Sequence, residues 1–291
     1  MSTDAAGLYR LMAWLSPSYP VGAFTLSHGL EWVVEEGTVG DVHALVAWVE
    51  DVLAHGAGRQ DAILLAEAWR ARRRDVGHLP QDLAPSSAHS RDSGKPWGAE
   101  GGAQGFVDTS EGPAGHAQTP WTSSPTADAL WIPAFAGMSG DWGEALSLTD
   151  VIELAAALNP SKERRTETIS QGEAFKKITE TAWPAAHPWP EGPLAYPVAV
   201  AIAAADHEVG LSATLTAYLH AFAANIVSAG VRLIPLGQSD GQRAIAQLER
   251  PIAEVAAAAN ASTLDDLGGS ALLADIASMR HETQYTRLFR T

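Results

Sequence analysis

The chain has 291 residues, a formal charge of −15 and no cysteine. That charge repels a phosphate backbone and argues against nucleic acid as a partner. The missing thiols exclude both a disulfide framework and a thiolate metal site, which fits a reducing, cytoplasmic setting. Alanine is abundant while β-branched and aromatic residues are sparse, a balance that favours helix because Ala loses almost no side-chain freedom there.

Taken in chain order, Leu8, Leu11, Met12 and Leu15 recur at the spacing of a helix that buries one face. Ser16-Pro17 stops it, and the turn Tyr19-Pro20-Val21-Gly22 leads into a second helix through Leu30, Val33 and Val34 that ends near Gly37. Asp41 is placed to cap a third, with Val42, Leu45, Val49, Val52 and Leu53 on one face. A fourth is expected over Gln60–Arg72.

From Arg73 to Ser147 the composition turns rich in Gly, Pro and Ser, and Ile, Leu and Val nearly vanish. Such a stretch buries too little apolar surface to offset its ordering entropy. Residues 73–148 are therefore expected to be a disordered insertion, although Trp97, Trp121, Trp131 and Trp142 lie within it. Residues 1–72 and 149–291 are expected to form a single all-α domain.

Helical periodicity resumes at Thr149, read as an N-cap, with Ile152, Ala155 and Leu158 on one face. Ser161 caps the next helix, whose inner face is expected to carry Ile169, Phe175 and Ile178. After a Pro-rich loop, Pro197 suits the first turn of an Ala-rich helix. Ser212 is read as the cap of a long apolar helix through Leu215, Leu219, Phe222, Ile226 and Val227. Shorter helices follow from Ser239, Pro251 and Ser270. No alternating strand pattern appears, so the expected fold is an all-α helical bundle of about ten helices. No window of about 18 uninterrupted apolar residues is present, and no membrane span is expected. Met1–Arg10 lacks the basic and apolar regions of a secretory signal.

Chemistry is hard to place. The ten histidines show no HxH or HExxH spacing, and no phosphate loop or nucleophile elbow occurs. No catalytic residue, cofactor site or metal site is expected. His28 and Glu31 lie three apart on a predicted helix and could share a face, most simply as a helix-surface or partly buried His beside a charge. Gln238, Asp240, Gln242 and Arg243 gather around two glycines at a helix start. Capping explains Asp240 and leaves the others as surplus hydrogen-bonding groups. The end of the chain is basic and aromatic on an acidic body: Arg280, Arg287 and Arg290 alternate with Tyr285, Leu288 and Phe289. Arg and Tyr commonly anchor interfaces, and a terminus is mobile unless docked; the three large apolar side chains argue that this tail docks, loosely held in the free chain and ordered when a partner binds.

The segments Leu15–Phe24, Ser27–Glu31, Pro235–Arg243 and Met279–Arg290 together resemble the urease accessory protein F family, and Ser161–Phe175, with Glu163, Thr166 and Gly172, is similar to its middle helix. The stretch from Arg73 to Ser147 departs from that pattern, in which one helix passes directly to the next. The resemblance implies an all-α homodimer that binds the D/H-type accessory scaffold and the nickel-carrying G-type GTPase. That complex docks on apo-urease and helps load its nickel. It implies a chaperone, not an enzyme, with at most a transient nickel contact. Carried over position by position, the implied partner contacts are His28, Glu31, Trp32, Gln238, Asp240, Gln242, Arg243, Arg280, His281, Tyr285 and Arg287. Two rival readings are a helical adaptor unrelated to urease and a helical enzyme acting on a small cationic substrate.

Overall fold

The computed structural model describes residues 5–78 and 146–291. Among these lie eleven α-helices, two short 3-10 helices and no strand: α1 (Ala5–Trp14), α2 (Leu30–Glu35), α3 (Val42–His55), α4 (Ala57–His78), α5 (Leu148–Ala157), α6 (Lys162–Ala182), α7 (Tyr196–Asp206), α8 (Leu211–Leu233), α9 (Gln238–Gln247), α10 (Glu249–Ala261) and α11 (Leu272–His281). The all-α expectation holds. The expected insertion falls largely outside the described residues. Its first six residues, Arg73–His78, continue α4 as helix.

Helix α7 is the axis of the bundle. Every residue from Pro197 to Ala205 is buried, and α4 and α6 pack along it. Small side chains make this possible, because an Ala-rich helix lets its neighbours approach closely on every side. Its C-terminus would leave carbonyls without partners; donors from elsewhere satisfy them. Arg73 donates to the Ala205 carbonyl at 3.3 Å, and just beyond the helix Trp69 Nε1 donates to the Val209 carbonyl at 3.0 Å. Arg72 grips the Asp206 carboxylate through two bonds of 2.7 and 2.8 Å.

Helix α8 is the one described helix long and apolar enough to cross a membrane, yet 56% of its most apolar window is buried inside the fold. It packs against α3, α4, α9 and α10, as the core helix of a bundle does.

Three helix starts and faces differ from expectation. In α1 the buried side chains are Leu11 and Trp14, not Leu8 and Met12, which are 55% and 67% exposed. Trp14 decides the rotation: its indole packs edge-on against Phe175 and Trp183, with centroids 6.2 and 6.0 Å away. Helix α5 is capped by Ser147 and not by Thr149. The Ser147 hydroxyl accepts from the Asp150 N–H while the Asp150 carboxylate accepts from the Ser147 N–H, a reciprocal box that Thr149 has no partner to build. Helix α8 starts at Leu211 after Gly210, so Ser212 already lies inside it. Asp41 and Ser161 do cap α3 and α6, accepting from the amides of Ala44 and Arg164.

Two glycines set close approaches that the polar residues described below depend on. Gly172 lies where a Cβ would sit 1.9 Å from the Leu194 carbonyl oxygen, so α6 meets the residues leading into α7 backbone to backbone. Gly29 has φ +78°, and a Cβ there would meet the Ser278 amide at 2.7 Å, so α2 begins directly against α11.

Candidate functional site

The inner face of α6 is polar. Arg164, Glu167, Thr168, Gln171, Gly172, Phe175 and Thr179 are buried there, while the expected Ile169 and Ile178 are only half-buried. Glu167 is the centre. One carboxylate oxygen lies 2.9 Å from Arg164 and the other 2.9 Å from His28 Nε2. Arg164 also donates to His28 Nδ1. A guanidinium cannot accept, so Nδ1 must be the bare nitrogen and Nε2 the protonated one: His28 is neutral and tautomerically fixed. Burial agrees, pushing His28 below its usual range despite the pull of Glu167. Burial would raise Glu167, but the Arg164 charge, with His28, overrides it and holds the carboxyl at about 2.

His28 reaches this position through a left-handed backbone, φ 55°, which two ring hydrogen bonds hold in place. Beyond Arg164 lies Asp61 of α4, which accepts from the Tyr218 hydroxyl at 2.8 Å. Burial pushes Asp61 up to about 6, with Arg164 and Tyr218 opposing. Asp275 of α11 is likewise raised by burial and opposed by Arg164. A cavity of about 20 Å³ sits between His28, Arg164, Asp275 and Ser278.

A second set of bonds fastens the C-terminal tail. The tail docks, as its large apolar side chains suggest: its polar backbone finds partners on the body. Glu31 accepts from the amides of Leu288 and Phe289 at 2.6 and 3.0 Å. Arg290 donates its amide to the Thr25 carbonyl, and the Thr291 backbone oxygen accepts from both the amide and the hydroxyl of Ser27. Phe289 is buried, and Arg232 of α8 stacks between its ring and that of Phe24, 4.5 and 3.8 Å from the centroids. His281, fully buried, stands between two carboxylates: Nε2 is 3.0 Å from Glu31 and Nδ1 2.7 Å from Glu163. Glu163 also takes Arg287 at 2.9 Å. At the end of α11, Glu282 accepts from the Lys162 amide and completes the N-terminus of α6.

The expected partner contacts thus divide. His28, Glu31 and His281 are buried, with their polar atoms turned inward, so they do not form the outer surface. Trp32 and Asp240 are half-buried. Gln238, Gln242, Arg243, Arg280, Tyr285 and Arg287 are exposed. Gln238, Gln242 and Arg243 line an open depression of about 440 Å³ on α9, where Asp240 accepts from the Gly237 amide and pairs with Arg243 at 2.7 Å. Sequence reasoning did not find Arg164, Glu167, Asp61, Asp275 and Arg232. The signal for Arg164 and Glu167 was an α6 poor in apolar residues; Asp61, Asp275 and Arg232, on other helices, carried none, because the pairing that buries these groups is tertiary. Among the described residues no three His, Asp or Glu side chains converge as a metal site requires.

Three of the segments similar to the F family, Ser27–Glu31, Ser161–Phe175 and Met279–Arg290, therefore meet in one polar interior. Comparison with known proteins agrees. A family model described as UreF matches residues 120–249. The urease accessory protein UreF of Rhodopseudomonas palustris is 41% identical over 292 residues, covering 99% of this chain and 94% of its own length. That of Bradyrhizobium diazoefficiens is 39% identical over 298 residues, covering 99% and 93%. The chain belongs to the UreF family. Membership carries a role in urease maturation alongside other accessory proteins, and the reading as an adaptor unrelated to urease falls.

Proposed function

We propose that this chain acts as a non-catalytic adaptor. It binds the D/H-type accessory scaffold and the nickel-carrying G-type GTPase, and the assembly helps load nickel into apo-urease in the cytoplasm. Family membership supports the maturation role. The observation that carries the partner reading is the outer face of α11. Leu272, Leu273, Ile276 and Met279 are 66%, 55%, 37% and 48% exposed, and Tyr285 and Leu288 of the following tail are 103% and 77% exposed. An acidic chain that leaves such a stripe in water has a protein to cover it. We assign this face to the scaffold because it is continuous with the docked tail. A second exposed apolar face, Leu8, Tyr9 and Met12 on α1, is assigned to a second copy of the chain, giving the homodimer.

The test is co-purification with the scaffold and the GTPase, with and without nickel and GTP, with the mass of the complex read by light scattering. A complex holding two copies of this chain with both partners is expected. Recovery of the chain alone, or measurable turnover of a small cationic substrate by the isolated chain, would refute the reading.

A further inference from the structure

Helix α1 is held to the bundle at few points. Of its side chains only Leu11 and Trp14 are buried, and its Arg10 donates to the His207 carbonyl at the end of α7, 3.4 Å away. We propose that His207 is the latch of α1: as a neutral ring it completes the seat of Trp14, and protonation of that ring loosens α1 from the bundle. The latch itself rests on geometry. Its consequence for assembly rests on the assignment, above, of the outer face of α1 to a second copy of the chain.

The ring sits on a fixed backbone. The amides of Glu208 and Val209 turn back to the carbonyls of Ala205 and Ala204 at 3.2 and 2.8 Å, and Glu208 has φ 58°. Glutamate rarely adopts that left-handed conformation, so these bonds hold it there. The half-buried His207 places Nε2 3.1 Å from the Trp183 carbonyl, just after α6. A carbonyl only accepts, so Nε2 carries the hydrogen and Nδ1 of the neutral ring is bare. The centroid of this ring lies 5.4 Å from that of Trp14. Trp14 is fully buried, and among the described residues its indole N–H has no hydrogen-bond acceptor. A neutral imidazole offers the neighbouring donor a bare nitrogen and an electron-rich face, whereas an imidazolium offers neither.

Charge acts in the same direction. From α1 the ring feels Arg10, and from α7 it feels Asp206. Asp206 favours a proton on His207, but its carboxylate is already gripped by Arg72 of α4 through two bonds, and Arg73 of α4 donates to the adjacent Ala205 carbonyl. Burial, with Arg10, pushes His207 below its usual 6.5, while the Trp183 carbonyl and Asp206 oppose. A ring that binds its proton less tightly in the folded chain adds stability above pH 6.5, and that stability is lost as pH falls below 6.5. The loss is felt first in α1, because opening one helix takes less free energy than unfolding the bundle.

The experiment uses the full chain. Amide hydrogen exchange is measured at about pH 7.5 and about pH 5.5, as protection factors, so that the intrinsic pH dependence of exchange cancels. Protection over Leu11–Trp14 is compared with protection over Leu215–Ile226 of α8, in wild type and in His207→Gln. Glutamine keeps an N–H for the Trp183 carbonyl but cannot titrate. In wild type, α1 is expected to lose protection at least about fivefold relative to α8 at the lower pH. In His207→Gln the ratio is expected to stay constant. Should His207→Gln fail to fold, Arg10→Met removes the like charge and keeps the ring, and a smaller fall than in wild type is expected. A constant ratio in wild type, or an equal fall in wild type and the folded variant, overturns the inference. Light scattering in the same buffers reads assembly: wild type is expected to pass from two copies to one at the lower pH, and His207→Gln to remain at two. An α1 that loosens while both copies stay together overturns the consequence. A wild-type chain that is single at both pH values overturns the proposed homodimer and leaves the latch standing.

Discussion

Glu167 and Asp61 both feel the Arg164 charge and are shifted in opposite senses. Glu167 is held down at about 2, below its usual 4.5. Its contribution to stability is present above pH 4.5 and is lost as pH falls toward 2, on the order of 3 kcal/mol across that window. Asp61 is raised to about 6 from 3.8. Its folded form binds the proton more tightly than its unfolded form, so its stabilising contribution is full below pH 3.8 and disappears as pH rises through 6. Together they place a stability maximum near pH 4–5 for this pair. Denaturant melts from pH 7 down to pH 5 should show wild type gaining stability and Asp61→Asn gaining less. Asn keeps an acceptor for the Tyr218 hydroxyl but cannot titrate. Parallel curves for the two proteins would show that Asp61 is not the group responsible.

At the scale of elements, the helices were legible where periodicity and caps act locally. Asp41 and Ser161 cap because their own hydroxyl or carboxylate reaches an amide three residues on. The faces were less legible. The apolar spacing of Leu8 and Met12 fits a buried side, but Trp14 has more surface to bury and turns α1 toward Phe175. In α6 the periodicity of Ile169 and Ile178 pointed to an apolar inner face, whereas Glu167 and Arg164 are inside because they satisfy one another and His28. No single-sequence pattern encodes that pairing across some 136 residues.

Gly172 is the element-scale test. A methyl group there meets the Leu194 carbonyl oxygen at 1.9 Å, and backbone cannot yield as a side chain does. Gly172→Ala should cost about 3 kcal/mol and lower the melting temperature by about 6 °C or more. Gly77→Ala is the matched control. It lies within α4 with open space around it, so it should be neutral or stabilise by up to about 1 kcal/mol. A Gly172→Ala protein that melts like wild type would mean that α6 and α7 are not packed this closely.

For the whole molecule, the body is continuous around the segment spanning residues 79–145. Arg74, late in α4, donates to the Leu146 carbonyl at 2.9 Å, just before the Ser147 cap of α5. The chain thus leaves and re-enters the body at neighbouring points, and because loop-closure cost rises only by about 0.6 kcal/mol per doubling of length, a shorter loop closes that gap with no loss of stability. Replacing residues 79–145 with a short Gly/Ser linker should change the melting temperature by no more than a few degrees. A larger fall would place the segment's tryptophans in the core.

Under the proposed function, this UreF-family chain works by presenting the outer face of α11 and the adjoining tail to a partner protein. Scaffold affinity of wild type against Met279→Asp tests it most directly. Met279 is 48% exposed, so an aspartate there leaves the fold intact by circular dichroism while placing a charge in the apolar stripe. Binding is expected to weaken by at least about a hundredfold, as loss of an interface anchor of roughly 3 kcal/mol does. A folded Met279→Asp chain that binds the scaffold as tightly as wild type would contradict the claim.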